Sequence, residues 1–325
     1  MTGRFKSKGR SDTTGFVVAE GTVPVDQTPL SKKRKSDHSD VDQVRKRVKR
    51  FGNDPGRSQG PQGLIWDGEN YSCAYDSVLT VLLSIWSQDP TGWKMRFKDM
   101  NRVMNVLASG FYQAKEGRTT LETARNKVRY LLHQRNPVIF PYGQTGTPVS
   151  EMSEQLLRSD NIIASNWICC VECGHEYNLN KDLQTCVLQC YDQGITTSAC
   201  LQKRFQEHFP RRKCVHCGGA LNKIMRFDVM PKVLVFSISQ GSIEVSKKLS
   251  FRDGDSLVVF GLKGVVYHGD FHYTARVCTD GSVWFHDGMV SGRECTYEKK
   301  LTEFTGLELS TCEAKSATLV LYAQN

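Results

Sequence analysis

Asn70-Tyr71-Ser72-Cys73-Ala74-Tyr75-Asp76-Ser77-Val78-Leu79-Thr80-Val81-Leu82-Leu83-Ser84-Ile85-Trp86 is the stretch on which the fold turns. From Asp76 to Gln88, apolar residues (Val78, Leu79, Val81, Leu82, Leu83, Ile85, Trp86) occupy nearly every face of a helix. A helix without a polar side is a buried helix. Cys73 stands three residues before it begins. The thiolate is the reactive form of cysteine, and the partial positive charge of a helix N-terminus favours it. A free cysteine also serves as a small core residue, so the rest of the chain has to decide between the two roles.

Outward from this helix, Trp93–Gln113 and Thr119–Gln134 read as amphipathic helices, residues 136–149 as a Pro/Gly loop and Met152–Arg158 as a short helix. After Trp167 the vocabulary changes. Lys223–Ser239 is a near-continuous β run, followed by Ser256–Tyr267, Phe271–Cys278, Ser282–His286 and Thr318–Tyr322. Turns such as Asp253-Gly254-Asp255 and Thr279-Asp280-Gly281 separate them. Helices first and an antiparallel sheet afterwards is the α+β class.

The net charge of +9 is concentrated at one end. Residues 1–61 carry 14 Lys/Arg against 7 Asp/Glu, whereas residues 62–325 carry 29 against 27. The first 61 residues are polar, lack a hydrophobic period and read as a disordered basic tail. Two clusters in it, Lys32–Lys35 and Arg45–Arg50, have the arrangement of a bipartite nuclear localisation signal. With the basicity confined to the tail, nucleic acid is expected to make no more than weak contact there. No apolar run approaches the roughly 20 residues of a membrane span, and the N-terminal stretch has no signal-peptide core. The expectation is a soluble, intracellular, monomeric protein directed to the nucleus, with the cytoplasm as a second location. In that compartment its 12 cysteines, all beyond residue 72, are thiols, metal ligands or a nucleophile rather than disulfides.

Cys170-x-x-Cys173 and Cys214-x-x-Cys217, each followed by Gly, form a four-thiolate pattern for a structural Zn2+. Cys169, His175 and His216 are alternative ligands, and Cys186, Cys190 and Cys200 read as buried thiols, with a further metal site as the alternative.

Gly63-Leu64 and Asn70 through Leu79 resemble the cysteine box of ubiquitin-specific proteases, with Cys73, Ser77 and Leu79 on matching positions and Asp76 replacing the usual Asn. The Cys-x-x-Asp opening is also similar to the divergent branch that acts on SUMO. Val265 through Val277 resembles the histidine box: His272-Tyr273-Thr274-Ala275 matches, Phe271 stands where the family has Gly, and His268 corresponds to an upstream, non-catalytic histidine. Met230-Pro231-Lys232-Val233-Leu234 and Ala317 through Tyr322 resemble two further family strands. The spacing from Gly63 to Cys73 is wider than the family's, and the position of its oxyanion-hole Asn is Gly68 here. Asn70 and Asp67 are the polar candidates nearby, and an amide donates where a carboxylate cannot, which favours Asn70. Asp287 is the candidate for the residue that orients the histidine, with His286 as rival.

The resemblance covers residues 62–325 and implies a papain-like thumb, palm and fingers architecture, the fingers being a zinc-ribbon insertion at about 167–219. It implies a cysteine peptidase with Cys73 as nucleophile, His272 as base and Asp287 and Asn70 in support. Its partners would be conjugates of ubiquitin or a SUMO-like protein. The alternative is a non-catalytic ubiquitin- or SUMO-binding, zinc-ribbon adaptor in a nuclear complex.

Overall fold

The computed structural model describes residues 60–180, 182–239 and 243–324, with the backbone alone at 210 and 211. All of these fall within one compact unit spanning 58–325. The two basic clusters of the tail lie outside the described residues.

The buried helix is α1, Cys73–Gln88, and every residue from Cys73 to Trp86 is buried. It is followed by α2 (Pro90–Met100) and α3 (Arg102–Lys115), where the sequence suggested one continuous helix. The break is at Asn101, whose extended backbone (φ −170°) caps α3: its side chain accepts from Met104 N–H at 2.9 Å. Its amide also donates to Leu156 O and Arg158 O, each at 2.7 Å. A buried Asn at a cap satisfies three bonds that a mid-helix Asn could not. Helix α4 (Leu121–Arg135) is capped by Thr120, and α5 (Val149–Leu156) completes the helical layer.

The strands are β1 (Ala164–Cys170), β2 (Glu176–Asn178) and β3 (Val187–Cys190), then, after α6 (Thr197–Phe205), β4 (Glu207–Lys213), β5 (Ala220–Phe227) and β6 (Val233–Ile238). Next come β7 (Lys248–Asp253), β8 (Ser256–Gly269), β9 (His272–Thr279), β10 (Ser282–His286) and β11 (Thr296–Lys300). A 3-10 turn at Leu301–Glu303, α7 (Gly306–Ser310), β12 (Thr311–Cys312) and β13 (Lys315–Gln324) close the chain. They form two sheets. The large one has the order β11-β10-β9-β8-β13-β6-β3, with β7 on β8 and β12 on β13; the small one is β2-β1-β5-β4. Pairing is antiparallel except between β3 and β6.

The run Lys223–Ser239, which reads as one strand, is divided between the sheets: β5 belongs to the small one and β6 to the large one. Pro231, between them, has no N–H to give a ladder. The stretch expected as one insertion at about 167–219 is likewise divided, because β3 joins the large sheet and α6 packs on β5 and β7.

Helix α1 lies across β8 and β9. Gly264 in β8 permits the approach, since a Cβ there would come within 2.7 Å of both Val81 methyl groups. The core between them is deep: Val78, Leu79, Val81, Leu82, Val265, Val266, Leu319 and Leu321 have no exposed surface. At that burial a Leu79→Ala change costs about 2–5 kcal/mol.

Candidate active site

Three elements from distant parts of the chain meet at one end of α1. Cys73 is the first residue of that helix and is 8% exposed. The first hydrogen bond of this turn runs from Asp76 N–H to Ser72 O at 2.9 Å. The N–H groups of Cys73, Ala74 and Tyr75 precede it, the open donors of a helix start. Ser77 Oγ donates to Cys73 O at 2.8 Å and stiffens the turn.

His272 opens β9 directly after a two-residue hairpin turn, and its backbone pairs with Gly269. Both turn residues, Asp270 (φ 51°) and Phe271 (φ 57°), are left-handed, as the tight hairpin turn of this twist requires. His272 Nε2 lies 2.9 Å from Asp287 Oδ1. Asp287 follows the last residue of β10 and is held in place by Met289 N–H at 2.9 Å, on the same oxygen. Burial alone would lower the proton affinity of His272, but the hydrogen bond to Asp287 and the nearby Cys73 sulfur overcome it and raise the imidazole to about 9. Burial pushes the Asp287 carboxyl up, and His272 and the Met289 amide more than reverse this, leaving it below the usual carboxylate range. With Nε2 committed to Asp287, Nδ1 is the ring nitrogen left for the thiol.

His286, the rival partner, is turned away. Its ring is buried against Thr80 Oγ1 of α1 (3.5 Å) and Gly292 O (3.0 Å), where it joins the helix to the loop after β10. Gly63 presses on that ring so closely that a Cβ would sit 2.1 Å from Nε2.

Asn70 is close to Cys73 in sequence, but both ends of its side chain are engaged. Nδ2 donates to Asp67 Oδ2 at 3.0 Å, and Oδ1 accepts from Gly143 N–H at 3.1 Å. Asp67 is the hub of its loop, accepting from the N–H groups of Glu69 (3.1 Å) and Asn70 (3.3 Å). Gly68 packs against the Trp66 ring, 2.8 Å from where its Cβ would be.

Two residues that sequence reasoning passed over hold this loop. Arg125 and Arg129 lie one turn apart on α4 and are 3% and 2% exposed. Arg125 donates to Ile65 O at 2.7 Å, Ser72 Oγ at 3.1 Å and Asp76 Oδ1 at 2.8 Å. Arg129 donates to Asn70 O and Pro141 O. Ser72 Oγ in turn donates to Asp76 Oδ2 at 2.6 Å. Burial pushes Asp76 up to about 7, with Arg125 and Ser72 pulling the other way. The available signal was an arginine within the apolar stripe Leu121, Val128, Leu132 of α4: a cation there needs an acid or carbonyls to face.

The four cysteines of the metal pattern converge at the end of the small sheet. Their sulfurs lie within 4.8 Å of one another, with Cys170–Cys217 at 3.4 Å and Cys173–Cys214 at 3.6 Å. Tetrahedral thiolates on bonds of about 2.3 Å stand about 3.8 Å apart, so the set fits a metal ion such as zinc. The alternative ligands His175 and His216 face each other instead, Nε2 to Nε2 at 3.1 Å.

No protein-family profile and no curated protein sequence matches the chain. Solved structures do. One chain of the SAGA DUB module Ubp8/Sgf11/Sus1/Sgf73 bound to monoubiquitin aligns at a TM-score of 0.56 and 12% identity, over 88% of this chain and 75% of its own length. A chain of the same module bound to ubiquitin aldehyde aligns at 0.54 and 14%, over 86% and 72%. At such identity the likeness is one of fold alone, shared with a chain of that DUB module. No helix among the described residues is long and apolar enough to cross a membrane.

Proposed function

We propose that the chain is a cysteine isopeptidase that hydrolyses the bond after the C-terminal glycine of ubiquitin or a ubiquitin-like modifier. One observation carries this reading: a thiol at a helix start, an imidazole raised in proton affinity and a buried carboxylate, brought together from residues 73, 272 and 287. In a chain of ubiquitin-protease-like fold, that set has the parts of a nucleophilic triad.

In this reading Nδ1 of His272 takes the thiol proton and the Cys73 sulfur attacks the glycine carbonyl. His272 then delivers the proton to the leaving lysine amine. The same ring next draws a proton from water, which releases the thioacyl intermediate. Asp287 keeps the ring in the tautomer and orientation that both transfers need. Oxyanion donors are the Cys73 backbone N–H and the Asn70 amide, which must release Asp67 to take part. The four cysteines hold a structural metal, and that metal would fix the small sheet while the chemistry takes place elsewhere. The basic clusters of the tail would direct the protein to the nucleus.

Electrophilic probes made on the C-termini of ubiquitin and of SUMO test the proposal. We expect at least one to form a covalent adduct with the wild type and none with Cys73→Ala. Binding of either modifier without an adduct would favour the non-catalytic adaptor instead.

A further inference from the structure

One residue beside the candidate triad serves no purpose in the isolated fold. Phe271, directly before His272, is 99% exposed, so its ring touches almost nothing of this chain. Its backbone is left-handed (φ 57°), a conformation costly for a bulky side chain and free for glycine. A two-residue hairpin turn is best served by Asn-Gly or Asp-Gly, and residue 270 is already Asp. The chain thus carries an aromatic ring where glycine would suit the turn better and where the ring adds nothing to the core. Strain and apolar exposure kept together beside reactive groups point to a binding role.

The position says what it would bind. In the proposed reaction His272 protonates the leaving nitrogen, so that nitrogen comes within hydrogen-bond reach of the ring. The substrate atoms that follow it must pass the residues flanking His272. On a lysine these atoms are four methylenes, an apolar stem that seeks apolar cover. Of the two aromatic residues flanking His272 in the chain, Tyr273 is half-buried and packs on the His268 ring at 4.4 Å, which leaves the exposed Phe271 ring to cover that stem. We infer that Phe271 recognises the leaving side of the scissile bond, packing on the aliphatic stem of the lysine that bears the modifier. The inference rests on the isopeptidase reading and adds to it a preference for lysine-linked over stemless leaving groups.

The test compares two substrates on the full chain, each built on ubiquitin and on SUMO: the modifier joined through lysine Nε to a fluorescent peptide, and the modifier ethyl ester, whose leaving group has no such stem. Phe271→Gly should lower kcat/KM on the lysine conjugate roughly 4- to 15-fold, as expected for uncovering one to two methylenes. It should leave the ester within about twofold. Phe271→Tyr, which keeps the ring, should behave as the wild type. The melting temperature of Phe271→Gly should not fall, because the turn loses strain; a structural role would lower it. Equal losses on both substrates, or no loss on either, would overturn the inference while the isopeptidase reading stands. A wild type inert on every substrate would overturn the isopeptidase reading and this inference with it.

Discussion

The two sheets of this molecule are held by different means. The centre of the large one is covered by helices or strands throughout: Phe236, Val265, Val266, Tyr267 and Leu319 through Tyr322 have no exposed surface. The small one has a buried cluster of four side chains, Ile168, Cys170, Cys214 and Leu221, edged by Tyr177, Leu179 and Phe209. Two of those four are metal-ligand candidates. Full burial of Ile168 and Leu221 contributes about 3–6 kcal/mol. Ordering each residue's backbone costs about 1–2 kcal/mol, so this cluster alone does not hold the far end of the small sheet, whose other end adds Ala164, Met225 and Phe227 to the main core. Coordination of one ion by both knuckles would supply what this cluster lacks. The large sheet can therefore bear a strained, charged site at its end, whereas the small sheet would depend on an ion held by its four cysteines.

The sharpest way to break this contrast is to exchange one cysteine in each region. Cys73→Ala should reduce hydrolysis of a modifier–fluorophore substrate by more than about 10³-fold, with the melting temperature nearly unchanged. Cys214→Ser, or treatment with a chelator, should release about one metal ion per chain and strip hydrogen-exchange protection from β1, β2, β4 and β5. Leu319–Tyr322 should remain protected. If protection is lost from both regions together, they form one cooperative unit and the contrast fails.

A smaller effect is expected at the orienting position. Asp287→Asn should lower kcat by about 10²-fold, because an amide aligns the ring but stabilises its positive charge poorly. The same pair affects stability through pH. His272 binds its proton more tightly in the fold, to about 9 against an ordinary 6.5, so its contribution is complete below 6.5 and is lost as the pH rises through 9. Asp287, lowered in the fold, contributes above the ordinary carboxylate range and loses this as the pH falls through its folded value. The difference in melting temperature between wild type and Asp287→Asn should peak near pH 5–6.5 and shrink toward pH 9. A flat difference would mean that the pair is not charged in the fold.

The smallest effect is expected from the basic tail. Removing residues 1–57 should leave hydrolysis within about twofold at both low and high salt, while a fluorescent fusion spreads from the nucleus to the whole cell. A large loss at low salt alone would make the tail a substrate-steering element.

The burial of α1 is readable from its residues alone, because a helix apolar on nearly every side has no stable place in water. The α+β order of elements and the two CxxC knuckles are readable in the same way, since both are local patterns. Where the sequence fell short, local patterns had more than one solution. Nothing in Lys223–Ser239 says that one half pairs with β1 and the other with β13, because two strands of the same composition differ only in their neighbours. Asn101 looked like a mid-helix residue until Leu156 and Arg158 supplied carbonyls for its amide. Arg125 drew no notice in the sequence, and its role appears only where the fold buries it against Asp76. The sequence preferred Asp287 to His286 because a carboxylate is the better partner for an imidazolium, but the geometry of that choice is tertiary. Adjacent residues at a strand end point to opposite faces, and only the packing of β10 against β9 and α1 turns Asp287 toward His272 and His286 toward Thr80. Residues 73, 272 and 287 become one site because α1 crosses β8 and β9 at Gly264, a contact that no stretch of the chain encodes alone.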